Sequence, residues 1–205
     1  YKANTYETNK INLLSNPTSL YAKQPTVYYG LMYLAKNAKK EVKIHTPYII
    51  CNDYMYNELK NIKVPTTIMT NSAENNGNIF GAVDYLNHKK DIINTGVTIK
   101  EYEGGISYHG KSMTIDDDIA IVGSFNMDMR SAYIDTELML VINSKYINKQ
   151  LKASMEEYEK KAATVKNETE YSHIPEEMKM KELSDKKKNI KAWFGWAMNG
   201  LRFLF

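Results

Sequence analysis

Three runs between residues 107 and 143 leave that stretch little choice of structure. "SYHGKSMTID", "IAIVGS" and "TELMLVIN" are β-branched, of strand length, and alternate or cluster their apolar positions. Asp117 and Asp118 stand between the first two runs, where a hairpin turn is expected. No helix can be argued through "SMTIDDDIAIVGS". The spacing therefore predicts strands, with "IAIVGS" returning beside "SYHGKSMTID".

Upstream, the same reasoning gives alternating elements. "KINLLSN" (10–16) reads as a strand, and Val27, Leu31, Leu34 and Ala35 have helical spacing within 26–40. "EVKIHTPYII" (41–50) reads as a strand broken near Pro47, followed by a short helix over 53–62 and a strand over 66–70. A helix over 78–96 closes at Gly96, a strand covers 97–103, and Ser144 is a candidate N-cap for a helix over 144–163. Strands alternating with helices predict an α/β domain. A hydrophobic fraction of 43% over 205 residues is enough for one packed core.

That domain is expected to span 1–163. From 164 the chain turns polar and reads as a solvated linker or helix face. "NIKAWFGWAMNGLRFLF" (189–205) is then apolar, with Ile190, Trp193, Phe194, Ala197, Leu201 and Leu204 on one helical face. This amphipathic tail has three readings: a helix at the domain's edge, a cover over a partner half, or a segment lying in a membrane interface. Trp193 and Trp196, near Lys187, Lys188 and Arg202, motivate the last. Asn199 and Arg202 interrupt the tail, so it is not expected to span.

A net charge of +3 suits anionic lipid or nucleic acid and identifies neither. Cys51 is the only cysteine, which excludes an internal disulfide and a cysteine metal cluster. No two histidines have metal-ligand spacing, so no metal is expected. His45 reads as a core or pocket-wall residue, His88 as solvated, and His173 as part of the polar tail. The chain begins at Tyr1, not Met, and reads as a piece of a longer protein.

"GGISYHGKS" (104–112) satisfies two patterns at once. Gly105, Gly110, Lys111 and Ser112 fit a phosphate loop, but that loop must open a helix whose first N–H groups hold the phosphates. The residues after Lys111 are strand-like, so the nucleotide reading lacks its context. His109, Lys111 and Asp116 fit H-x-K-x-x-x-x-D, which suits a strand. Side chains two apart share a face, so a histidine able to act near neutral pH stands beside a cation for a phosphate oxygen. On the returning strand Gly123 allows close backbone approach, and Ser124 and Asn126 share a parity that lets both donate to one phosphate. Glu137 follows on another strand and could orient an imidazole.

"HGKSMTID" followed by "GSFNMDMRS" resembles the phospholipase D superfamily, and within it the bacterial cardiolipin synthases. "IHTPYII" and "VTIKEYEGGISYHGK" resemble the segments that lead to the second motif of those synthases. The resemblance covers roughly 10–160. It implies a mixed β-sheet flanked by helices on both faces, and phosphatidyl transfer or phosphodiester cleavage through a phosphohistidine, without a cofactor. It implies a catalytic His109, phosphate binding by Lys111 and Asn126 with Ser124 assisting, and orientation of His109 by Glu137. Asp116 completes the catalytic motif, but its place at a strand end suits a structural role.

This chain has one such motif where two-motif members of the family have two. His109 matches the second, for which the resemblance implies general acid/base work. The expected partners are a phospholipid substrate, an N-terminal half bearing the other motif or a second copy of the chain, and a membrane surface reached through segments outside this chain. A nuclease of the same superfamily, acting on nucleic acid, and a non-catalytic binding half are the alternatives.

Overall fold

The structure is a computed structural model that describes residues 5, 7–18, 21, 23–194, 200 and 202–204. Strand β1 (Lys10–Ser15) leads to α1 (Thr26–Lys36), whose buried face carries Val27, Tyr28, Leu31, Met32 and Ala35. Pro47 divides the next β-rich run into β2 (Val42–His45) and β3 (Ile49–Ile50), because proline cannot donate to a ladder. Helix α2 (Asp53–Lys60) starts where the Asn52 side chain accepts from Met55 N–H at 3.0 Å. Strand β4 (Thr66–Asn71), helix α3 (Ile79–Ile93) and strand β5 (Thr98–Tyr102) follow. Gly96 turns the chain out of α3 at φ +86°, which costs glycine nothing.

Beyond β5 come β6 (Ser112–Ile115), β7 (Ile119–Gly123), β8 (Met127–Asp128), the one-turn α4 (Met129–Tyr133) and β9 (Leu138–Asn143). Helix α5 (Lys145–Glu159) is capped by Ser144 as expected. The sheet order is β1-β9-β7-β6-β2-β4-β5-β10-β11, where β10 is Ala162–Val165 and β11 is Tyr171–His173. β2, β4 and β5 are parallel and the remaining pairs antiparallel, so the sheet is mixed. Strands β3 and β8 pair separately, in parallel.

Helices cover both faces. Val42, Ile44, Met113, Ile115, Ile121, Met139 and Val141 point into one core with the buried face of α1. Alternate residues face α5, where Lys43 and His45 of β2 and Lys100 of β5 meet Glu159.

Three expectations are corrected. The segment from 164, read as a solvated linker, instead supplies part of β10 and all of β11, and the boundary at 163/164 falls inside β10. Ala162, Ala163 and Thr164 pair with Tyr102, Glu101 and Lys100, a partnership no local pattern announces. The run "SYHGKSMTID" is strand only over 112–115, because the Ile106 carbonyl and both backbone groups of Tyr108 bond to side chains of another loop in place of a neighbouring strand. His88 is not solvated: it is half-buried, with Nδ1 3.0 Å from the Asp84 carbonyl.

The tail forms α6 (Asp185–Phe194) and a short 3-10 turn at Arg202–Leu204. Lys187 is buried against the domain, and Arg202 pairs with Asp84 at 2.6 Å and donates to the Cys51 carbonyl at 2.9 Å. Trp193 is 85% exposed. Trp196, Ala197, Asn199 and Leu201 lie outside the described residues. Among the described residues no helix is long and apolar enough to cross a membrane.

Candidate active site

The chain ends of β6, β7 and β9 bring the motif residues together. β6 and β7 pair from Ser112↔Val122 to Ile115↔Ile119, and Gly123 N–H donates to the Lys111 carbonyl at 3.2 Å. Lys111 therefore lies opposite Gly123, one residue short of Ser124. Gly123 also lies against β9 so closely that a Cβ there would collide with the Leu138 carbonyl. This is the close approach expected of that glycine, and it lets Ser124 N–H reach the same carbonyl at 2.9 Å.

His109 and Lys111 sit side by side at the entrance to β6. Lys111 Nζ is 2.8 Å from His109 Nδ1 and 2.8 Å from the His109 carbonyl. Nζ is also 3.3 Å from Nε2, so the ammonium faces the ring edge that carries both nitrogens and donates to whichever of them is unprotonated. Burial, with the Lys111 ammonium second, pushes the His109 imidazole below its ordinary value. Burial also lowers the Lys111 ammonium, while the Glu137 and Asp128 carboxylates work against that shift. The pair rests as a neutral imidazole beside a cation. Gly110 stands between them because the Tyr108 ring folds back over it: a Cβ there would meet the Tyr108 hydroxyl.

Glu137 is buried, and its carboxylate is held by two serines. Ser124 Oγ donates to Oε2, and Ser131 Oγ donates to Oε1 at 2.8 Å. The orienting bond expected from Glu137 to His109 is therefore not formed in this arrangement. Its field reaches Lys111 instead. The Ser124 hydroxyl proton is committed to Glu137, and its oxygen accepts from Leu138 N–H at 3.1 Å. Ser124 here acts through Glu137, not as a free donor toward an anion. Asn126 donates from its backbone and from Nδ2 to Ser131 Oγ, at 3.2 and 3.3 Å. Its buried Oδ1 has no partner; that oxygen can only accept, so what the amide can offer an anion is the second N–H of Nδ2, beyond the one given to Ser131.

Asp116 lies at the far end of β6, roughly 15 Å away along the strand. At φ +50° its carboxylate accepts from the backbone N–H groups of Lys39, Lys40 and Glu41. Burial raises this carboxyl, but the three donors outweigh it and hold it below the usual carboxylate range. Asp116 fastens the α1–β2 turn to the β6–β7 hairpin, as its place at a strand end suggested. It does not join the other motif residues.

Two residues escaped the sequence reading. Ser131 joins Asn126 to Glu137, and Asp128 caps α4 by accepting from Ser131 N–H at 2.5 Å. Asp128 is buried, which pushes its carboxyl up to about 6 against the Ser131 bonds. "DMRS" carries the cap signal, an aspartate three residues before the N–H it receives. Nothing local shows that the same serine reaches Glu137.

A cleft of 670 Å³ opens beside His109, lined by Tyr102, Ile106, Tyr108, Leu151, Met155 and Tyr158 among others. The phosphate-loop pattern in the same run has no helix to support it, since Ser112 opens a strand.

Residues 31–158 match the family described as "Cardiolipin synthase, PLD-like domain". The chain belongs to that family. Its fold is that of the phospholipase D superfamily, a large mixed sheet flanked by helices. Similar proteins include cardiolipin synthase 1 of Staphylococcus epidermidis, 30% identical over 159 residues, which are 76% of this chain and 32% of that protein. A cardiolipin synthase of Staphylococcus aureus is 31% identical over 129 residues, 62% of this chain and 26% of that protein. This phospholipase D-like chain thus spans about a third or less of the length of the curated relatives it matches.

Among solved structures, the phospholipase D family member Nuc of Salmonella typhimurium aligns with TM-score 0.61 and 15% identity, over 76% of this chain and 97% of that one. A phosphatidylserine synthase of Haemophilus influenzae aligns with TM-score 0.67 and 17% identity, over 95% of this chain and 48% of that one. At such identities the likeness is one of fold.

Proposed function

We propose that this chain is one catalytic half of a phospholipase D-type enzyme that moves or releases a phosphatidyl group, with His109 as its general acid and base. The observation that carries the reading is the His109–Lys111 pair, an imidazole held against an ammonium at the entrance to β6, one strand from the β7 end that leads to Asn126. Binding of a phosphodiester would bring negative charge to the pair. Lys111 would turn to a phosphate oxygen, and the anion would raise the His109 imidazole toward its protonated form.

A histidine of a second half would then attack phosphorus. The bond to the leaving alcohol breaks, and that alkoxide takes the His109 proton. In the second step neutral His109 takes the proton of an acceptor alcohol or water, whose oxygen attacks phosphorus and releases the other histidine. Asn126 and Lys111 would hold the non-bridging oxygens. Glu137, through Ser124 and Ser131, would position Asn126 and keep Lys111 charged.

Two observations support a phospholipid over nucleic acid and a second half over a lone domain. Lys36, Lys40, Lys43, Lys89, Lys100 and Lys152 are paired with carboxylates, so these cations are neutralised locally and are not gathered into a basic stripe. On the sheet face shared with α5, Ile11, Leu13, Val122 and Leu138 remain 53, 62, 37 and 46% exposed. Leu13 and Val122 flank Leu140 in one row, and Leu138 lies next to Ser124, so the apolar strip runs up to the site. Exposure on that scale invites a partner surface, which would bring the second histidine. Any membrane anchor would come from segments outside this chain.

The test is turnover of a chromogenic phosphodiester across a dilution series, with mass followed by light scattering. Activity should fall on dilution and be absent in His109→Asn. Constant activity per chain in a strictly monomeric sample would refute the two-histidine scheme.

A further inference from the structure

The loop that delivers His109 has no strand pairing of its own. Several of its backbone groups are met by residues 71–77, the end of β4 and the loop that follows it. Asn71 is buried and reads both backbone groups of Tyr108: Oδ1 accepts from its N–H at 2.7 Å and Nδ2 donates to its carbonyl at 2.9 Å. Nδ2 also donates to the Pro47 carbonyl at 2.8 Å. Asn75 Nδ2 bridges Asn71 Oδ1 at 3.1 Å and the Ile106 carbonyl at 3.2 Å, and Gly77 N–H donates to Ser107 Oγ at 3.1 Å. Three consecutive residues before His109, Ile106 to Tyr108, are thereby fixed by side-chain and backbone groups of one turn.

That turn is in turn clamped from the C-terminal helix. Lys187 of α6 is 7% exposed, and its ammonium donates to the carbonyls of Ala73, Glu74 and Asn76 at 2.8, 2.5 and 3.0 Å. All three of its donors are used. Ser184 N–H adds a bond to the Glu74 carboxylate at 2.9 Å. On the other side, the Tyr108 ring rests edge-on against His45, Tyr102 and Tyr158, with centroids 5.6, 5.9 and 4.8 Å away.

We propose that Asn71 and Asn75 are positioning residues for His109, and that Lys187 holds them in place from the C-terminal helix. Buried polar groups in such a network are costly to leave unpaired, so loss of the Lys187 ammonium should loosen residues 73–76 and then the loop at 106–109. The consequence for turnover rests on the catalytic reading of His109; the positioning itself does not.

Amide hydrogen exchange and an NMR titration of His109 test this without reference to activity, in the 205-residue chain carrying Lys187→Met, Lys187→Arg or Asn75→Ala. In Lys187→Met and Asn75→Ala the Tyr108 amide should exchange about ten-fold faster. Met113 and Val141 in the sheet should be unchanged, and the His109 titration should move up toward its ordinary value of about 6.5. Lys187→Arg should recover part of the protection. Loosening confined to 73–76, or equal loosening across the whole sheet, would overturn the proposal. If Lys187→Met fails to fold, Asn75→Ala decides, and an unchanged Tyr108 amide there overturns it. A loosened loop with unchanged turnover in the complete enzyme would support the positioning and count against His109 as the catalytic group.

Discussion

Asp128→Asn should stabilise this domain above neutral pH and leave it nearly unaffected in acid. Asp128 caps α4 with a side-chain oxygen 2.5 Å from Ser131 N–H, a bond that asparagine's oxygen can also accept. The carboxylate, unlike the amide, brings a charge into a buried site, and its pKa rises from 3.8 to about 6. A group raised in the folded state makes its full contribution to stability below its unfolded value. It loses that contribution as pH rises through its folded one. The shift of roughly two units corresponds to about 3 kcal/mol at about 1.36 kcal/mol per unit. Local relaxation should reduce this to about 2 kcal/mol. The window is therefore pH 4 to 6: wild type should lose stability across it relative to Asp128→Asn, and the difference should be constant above about pH 7. Urea unfolding of both proteins at pH 4 and pH 7.5 gives the double difference, in which pH-independent effects of the substitution cancel. A variant equally destabilised at both pH values would refute the argument, because the cap bond and not the buried charge would then dominate.

Asp116→Ala should lower stability by about 1 kcal/mol by removing the carboxylate that joins the largely exposed N–H groups of Lys39, Lys40 and Glu41 to the β6–β7 hairpin, with turnover per folded molecule unchanged. Denaturation curves and a phosphodiesterase assay on the complete enzyme would separate the two. Glu159, the last residue of α5, faces the sheet, where burial raises its carboxyl but His45 and Lys100 prevail and hold it at about 2. A depressed carboxyl stabilises above its unfolded value, and the contribution disappears as pH falls through the folded one. Glu159→Gln should accordingly cost about 2–3 kcal/mol at pH 7, with the gap to wild type closing between pH 4.5 and 2 in acid-unfolding curves. Gly123→Ala should destabilise by about 2 kcal/mol or more, since its Cβ meets the Leu138 carbonyl and backbone must move; a melting temperature within a degree of wild type would contradict that contact.

Periodicity determined most of the elements. Val27, Leu31 and Ala35 face the core as their spacing required, Pro47 divides β2 from β3, and Ser144 caps α5. These are local properties, fixed within a turn or a strand, and a single sequence displays them. The grouping of His109, Lys111, Ser124, Asn126 and Glu137 was also legible, because only a hairpin and one further strand separate them and each neighbour pairs with the next. Tertiary structure alone decided the rest. Residues 164–173 read as linker because their strand character comes from partners that no local pattern shows, β10 against β5 about sixty residues earlier and β11 against β10. Glu137 could be given a partner by analogy, but Ser124 and Ser131 take both its oxygens, and that depends on how the loop at 124–131 folds over β9. Asn71, Asn75 and Lys187 look like solvated loop and helix residues in the sequence. They are buried because residues thirty to more than one hundred positions apart meet there. A buried polar group must be paired, and which partner satisfies it is settled only when the distant segments pack.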